Sequence, residues 1–272
     1  MKKPFSLVYL TTPNCAPPEM IYMAARAGYD YVSLRTIPWG LPNEPNFGLA
    51  KNKALLRQTK RALDETGIKL HDTEDARIYD AVDLIGYLPE MEVAAELGAR
   101  CLLTNIWTDD RNFVVEKFAE LCDLAKPLGL TVILEFVTWA SITNIKETLE
   151  VIKAAKRDNV GIVFDMLHFH RSRCSLEDLA AIPKEWCRLI HLCDAPGEIP
   201  TAKEGLIHTG RAERLYVGEG DIDIAAVVKR LPDTVYGIEV PNLLRAKEIG
   251  NAEHVWRCLE TAKSYLDAQL QE

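Results

Sequence analysis

Four short segments of this chain each carry, at or near the end of an apolar run, a group able to bind a cation or move a proton. They are "TVILEF" with Glu135, "VGIVFD" with Asp165, "RLIHLC" with His191 and "YGIEV" with Glu239. Taken singly, a glutamate at a strand end is most often a surface residue, and a histidine in such a run is most often a hydrogen-bonded core residue. Four successive apolar segments that each deliver one such group call for a joint explanation. Three carboxylates and an imidazole gathered in apolar surroundings would repel one another and raise their own pKa values. A divalent cation resolves that conflict, so the sequence predicts one metal ion held by Glu135, Asp165, His191 and Glu239. This donor set is harder than that of a typical zinc site and suits an octahedral ion with open water positions. Mn²⁺ is the expected ion, with Mg²⁺, Co²⁺ and Zn²⁺ left open.

Such convergence needs a scaffold that brings strand ends together. The chain alternates short apolar runs, at 5–11, 31–36, 68–72, 101–105, 131–136, 160–165, 188–193 and 236–240, with longer amphipathic segments. The short runs read as strands buried on both faces. Between them, "PPEMIYMAARAG" opens on prolines suited to a helix start and closes at Gly28. "KNKALLRQTKRALDETG" stops at Gly67 and "FVVEKFAELCDLAKPLG" at Gly129. Asn144 is an expected N-cap with Glu147 three residues on. Eight β/α units in 272 residues predict a single α/β domain over 1–272, a parallel (β/α)₈ TIM barrel with outer helices. No glycine-rich fingerprint follows the first strand, which argues against an open dinucleotide-binding sheet. Two long connections, 37–49 and 194–219, are expected over the strand ends where a barrel carries its site.

Composition narrows the function classes. A formal net charge of −8 disfavours a nucleic-acid backbone or an anionic membrane as partner. No apolar run is long enough to cross a bilayer. The basic start "MKKPFSLVYLTTPNCAPP" is broken by Pro13 and reads as a first strand rather than a signal peptide. Seven cysteines without a CxxC pair fit reduced thiols in a cytoplasmic protein. A homo-oligomer is left open.

Glu135, the D-x-x-H of Asp165 and His168, His191, Glu239 and the turn "VGEGDID" at 217–223 together resemble the xylose-isomerase-like TIM-barrel superfamily over essentially the whole chain. That superfamily includes ketose 3-epimerases, keto-inositol isomerases and dehydratases, and apurinic-site endonucleases. The resemblance implies that Glu135, Asp165, His191 and Glu239 bind the metal. It also implies that Glu135 and Glu239 double as acid and base on opposite faces of the substrate, and that His168 contacts a substrate oxygen. Two epimerase features are replaced here: a Glu six residues past the fifth-strand ligand is Ser141, and an Arg six residues past the metal-binding His is Gly197. Arg211 and Arg214, in the 194–219 connection, are the candidates to take over substrate binding.

Arg35 and His71, at the ends of the second and third strands, are further candidates for the pocket wall. Asn105, Trp107 and Trp139 follow strands four and five. Glu74 and Asp75 are expected to face solvent, and His170 to have a supporting or surface role. The expected substrate is a small polyhydroxylated carbonyl compound, isomerised or epimerised by proton transfer through an enediolate. Two alternatives stand beside it: a dehydratase of the inosose or 3-dehydroshikimate type, and a metal-bound sugar-binding protein without turnover. Phosphodiester hydrolysis is disfavoured, since a second complete metal site cannot be assembled from six histidines.

Overall fold

The computed structural model describes residues 3–40 and 44–270. Positions 41–43 of the long 37–49 connection lie outside them. The strands are β1 (Phe5–Val8), β2 (Tyr31–Arg35), β3 (Lys69–Glu74), β4 (Ile78–Tyr79), β5 (Cys101–Thr104), β6 (Ile106–Trp107), β7 (Thr131–Glu135), β8 (Val160–Asp165), β9 (Cys187–Leu192) and β10 (Val235–Ile238). Eight of them close a parallel barrel in the order β1-β10-β9-β8-β7-β5-β3-β2, and β4 pairs with β6 in a separate two-stranded sheet. The chain therefore folds as the expected TIM barrel.

The helices are α1 (Pro17–Ala27), α2 (Lys53–Thr66), α3 (Leu88–Glu96), α4 (Arg111–Ala125), α5 (Ile145–Ala155), α6 (Met166–Arg171), α7 (Lys203–Ala212), α8 (Ile224–Val228), α9 (Leu243–Ile249) and α10 (Asn251–Gln269). Local chemistry sets their ends. Pro17 opens α1, and Gly28 closes it in the left-handed conformation at φ 95°. Asn144 caps α5 as expected, its Oδ1 accepting the Glu147 N–H at 3.0 Å. The core has two shells. Cys101, Leu103, Ile133, Val163 and Leu189 fill the barrel interior, and a larger layer, which includes the fully buried Phe118, Phe136 and Phe164, joins strands to helices. No helix among the described residues is long and apolar enough to cross a membrane.

Three elements differ from their expected form. The first run ends as a strand at Val8, and Tyr9–Thr11 form a tight helical turn. The third strand runs two residues past Asp72, to Glu74. Its pairing with β2 shifts register between Val32 and Ser33 and places Arg35 opposite Glu74. The 194–219 connection is partly ordered as α7 and tied down by bridges pairing Asp194 with Leu215 and Glu213 with Asn242. At its two ends, the Asp194 carboxylate accepts the N–H groups of Gly218, Gly220 and Ile222 at 2.9–3.1 Å. A Cβ at Gly220 would lie 2.4 Å from the Ala195 carbonyl oxygen, so the "GEG" turn requires glycine there.

Candidate active site

Glu135 closes β7, Asp165 closes β8, His191 lies in β9, and Glu239 follows β10. These are four neighbouring strands of the barrel. Asp165 and His191 are direct partners in the β8–β9 register. One donor atom from each of the four lies within 4.8 Å of the other three, and all four residues are buried. His191 Nδ1 is 3.3 Å from Glu135 Oε1, 3.3 Å from Glu239 Oε2 and 3.8 Å from Asp165 Oδ2.

Burying three carboxylates is unfavourable unless their charge is compensated. Arg214 supplies part of the compensation. Its Nη1 donates to Asp165 Oδ2 at 2.6 Å and is 3.0 Å from Glu239 Oε2. Its Nε donates to the Gly210 carbonyl at 2.9 Å. Burial acts to lower the His191 pKa, but Glu239 and Glu135 outweigh it and hold the imidazole protonated well above its usual range. Burial pushes the Glu135 carboxyl up to about 7, with Glu239 adding to the rise and His191 opposing it. Burial would raise Glu239 too, but Arg214 and His191 hold it well below the usual carboxylate range.

Even so, His191 Nδ1 and Nε2 and Glu135 Oε1 are buried without a hydrogen-bond partner. Orphaned donors and acceptors of this kind need a reason in a folded protein. A divalent ion at the common centre supplies one. The residues present fit such an ion: three carboxylates and an imidazole, with the Arg214 guanidinium alongside.

His168 lies one turn beyond Asp165 because the strand passes directly into α6. Asp165 Oδ1 caps that helix by accepting the His168 N–H at 2.8 Å. The Asp-x-x-His spacing is therefore also an N-cap spacing. His168 Nδ1 accepts from Thr138 N at 3.3 Å and is 3.0 Å from Thr138 Oγ1. Burial lowers its pKa to about 4. With Nδ1 accepting and the ring neutral, the proton sits on Nε2, which leaves an N–H donor on a side chain that lines the cavity. Trp139 meets this ring edge-on, centroids 4.9 Å apart.

The cavity extends from Glu135, Glu239, His168 and Arg214 to a second wall made by Arg35, Trp39, Glu74, Asp75, Asn105 and Trp107. Arg35 Nη2 donates to Glu74 Oε2 at 2.6 Å, and its guanidinium stacks over Trp39 at 3.9 Å. Arg211, on α7, stacks on the same indole at 5.4 Å. Gly210 lies against Trp139 so closely that a Cβ there would come within 2.3 Å of the indole. The cavity these residues line has a volume of about 30 Å³, room for little more than water.

The structure thus brings Glu135, Asp165, His191, Glu239, His168, Arg35, Arg211 and Arg214 together. Arg214 is no solvated loop arginine but a buried partner of two candidate ligands. His71 is a correction. It lies in the lower half of β3 and lines a different cavity, with Lys3, Arg100, Arg188 and Asp233 at the N-terminal ends of the strands. Its Nδ1 pairs with Asp72 Oδ1 at 2.7 Å. Glu74 and Asp75 are the converse correction. Expected at the surface, they are 3% and 1% exposed and line the site. Both errors come from ending the third strand two residues early. His170 lies outside this cavity, its Nδ1 2.7 Å from Arg171 Nη1. Exposed His208 pairs with Glu213 at 3.0 Å.

A closed parallel barrel with a cluster of carboxylates and imidazole at the C-terminal ends of its strands defines the architectural class. A family model described as xylose isomerase-like TIM barrel matches residues 21–257, and the chain belongs to that family. It is 24% identical over 236 residues to an inosose isomerase of Bacillus velezensis, covering 82% of this chain and 81% of that protein. Among solved structures, an IolI protein with a bound zinc atom superposes with a TM-score of 0.79 at 20% identity, covering 100% of both chains. A D-allulose 3-epimerase from Methylomonas sp. in complex with D-allulose superposes with a TM-score of 0.69 at 17% identity, covering 97% of this chain and 98% of that one.

Proposed function

We propose that this protein is a sugar isomerase or epimerase that moves a proton next to the carbonyl of a ketose or keto-polyol, through an enediolate, within one barrel domain. The observation that carries the reading is the cluster of Glu135, Asp165, His191 and Glu239, with donor atoms within 4.8 Å and buried atoms lacking partners. The inosose isomerase of Bacillus velezensis supports the substrate class.

Glu135, Asp165, His191 and Glu239 would hold one divalent ion, and the hardness of the set favours Mn²⁺. When bound, such an ion polarises a carbonyl and lowers the cost of negative charge on the neighbouring oxygens. His191 must lose its proton to become a ligand, so loading the site releases protons. Glu135 and Glu239 stand on either side of His191, each 3.3 Å from Nδ1. A carboxylate has two oxygens, so each can face the ion with one and the substrate with the other. One Glu takes the proton and its partner returns one. His168 directs its Nε2–H at a substrate oxygen. A neutral imidazole with a pKa near 4 donates a hydrogen bond well but is a poor source of a proton for a departing hydroxyl, which favours isomerisation over dehydration.

Seven thiols free of disulfides suit a reducing, cytoplasmic setting. The test is turnover of inosose by Mn²⁺-loaded protein in D₂O. Deuterium should enter the carbon α to the carbonyl. An ultraviolet-absorbing enone in place of an isomeric ketone would replace this reading with a dehydratase.

A further inference from the structure

We infer that Asp75 is a substrate-binding residue whose free carboxyl oxygen, Oδ1, donates a hydrogen bond to a hydroxyl of the substrate remote from the reacting carbons. The inference rests on reading the site as one for a polyhydroxylated carbonyl compound.

The two Asp75 oxygens are in different situations. Oδ2 accepts two N–H bonds, from Asn105 Nδ2 at 2.7 Å and from Trp39 Nε1 at 3.1 Å. Asn105 is itself held, its Oδ1 accepting from Trp107 Nε1. Oδ1 is buried and has no partner. The side chain lines the same cavity as Glu135, Glu239 and His168, on the opposite wall. A buried polar atom left bare in a pocket, on a carboxyl clamped through its other oxygen, is preorganised to meet a ligand.

The surrounding charges decide the form it takes. Arg35 faces it from β2, Glu74 from β3, Arg77 from the segment after β3, Glu135 from β7 and Tyr87 from the turn before α3. Burial is the largest influence on Asp75 and pushes its pKa up to about 8, Glu74 and Glu135 adding while Arg35 and Arg77 oppose. At neutral pH the group is then a carboxylic acid. With Oδ2 accepting two N–H bonds, the proton belongs on Oδ1. Glu74 completes the site. Arg35 binds its Oε2, while its Oε1 is buried and without a partner. Glu74 thus leaves a second unpartnered oxygen on the same wall, while burial raises its pKa and Arg35 opposes the rise. Ionising Asp75 would replace the donor by a second acceptor and weaken binding.

The experiment is calorimetric titration of metal-loaded protein with inosose, D-fructose and D-allulose from pH 7 to 9.5, with metal content checked at each pH. In wild type, affinity for the bound probe should fall about tenfold per pH unit above roughly pH 8, as the donor is lost. Asp75→Asn keeps an oxygen for Trp39 and Asn105 and presents N–H in place of Oδ1. It should bind within about threefold of wild type at pH 7 and show no alkaline decline. Asp75→Ala should weaken binding at pH 7 by about tenfold or more. A purely structural Asp75 would leave the wild-type and Asp75→Asn pH profiles identical, and that result overturns the inference. So does unaltered affinity in folded Asp75→Ala. Failure of wild type to bind any of the three probes overturns it together with the proposed substrate class, and so separates the two failures.

Discussion

On β7 to β10, three carboxylates and an imidazole converge with one arginine, and two of the four residues keep buried atoms without partners. Across the mouth, on β2, β3 and the segments after β3 and β5, Arg35 is bonded to Glu74 and stacked on Trp39, and Asp75 accepts from Asn105 and Trp39. Both walls bury charge at strand ends. They differ in what compensates it. The second wall is stabilised by its own hydrogen bonds and ion pair and leaves single oxygens free, as a surface that positions a ligand should. The first has more negative charge than Arg214 offsets, and one donor atom from each of its four residues lies within 4.8 Å of the others. The first wall therefore has the chemistry of a cation site, and the second that of a surface able to hydrogen-bond a polar ligand.

Substitutions can break that contrast. The largest effect is expected for Asp165→Asn, which removes a charged ligand while keeping the shape of the α6 cap. Its metal affinity should fall by more than the roughly 100-fold that loss of a mere supporting partner costs, with turnover lost as well. Elemental analysis after dialysis measures this, and full metal retention would remove Asp165 from the ligand set. Next comes Arg214→Met. Without the guanidinium the carboxylates are more negative, so metal content should be retained or rise. Charge developing on the substrate loses a nearby cation, and kcat/KM should drop about 100-fold, equivalent to about 2.7 kcal/mol. Loss of metal together with activity would make Arg214 a structural brace rather than part of the reacting environment. The smallest effect on turnover is expected for His71→Ala. It deletes the hydrogen bond to Asp72 at the far end of the barrel, so Tm should fall by a few degrees while kcat/KM stays within about twofold. A large loss of activity would mean that the two ends of the barrel are coupled.

The first wall was legible in the sequence, and of the second Arg35, Asn105 and Trp107 were, while Glu74 and Asp75 were not. Glu135, Asp165, His191 and Glu239 each sit within or at the end of an apolar run, and the run marks where the strand stops. The third strand, "KLHDTE", carries polar residues on both sides of its only leucine, so hydrophobicity gives no stop signal. Read from hydrophobicity alone, the strand puts His71 at the mouth and Glu74 and Asp75 in solvent. The usable signal was Arg35, a charged residue at the end of an otherwise apolar strand, which needs an acid opposite it. Arg214 was hidden differently. "HTGRAERLY" reads as polar connection, and nothing local separates the buried arginine from the half-exposed Arg211 three residues before it.

By itself, then, the sequence determined the barrel, the caps that start and end its helices, and four of the side chains at its mouth. All of these follow from local periodicity and from residue chemistry at fixed spacing, as when Asp165 both ends a strand and caps the helix bearing His168. The tertiary structure decided how far up the barrel β3 reaches, because a register shift against β2 is a property of two strands 39 residues apart, Arg35 and Glu74 being its partners. It also decided which arginine reaches the carboxylates, since the bridges that fold 194–219 back onto the barrel join segments distant in the chain. Charge compensation in a buried site acts through space, and its partners are chosen by closure of the barrel rather than by their neighbours in sequence.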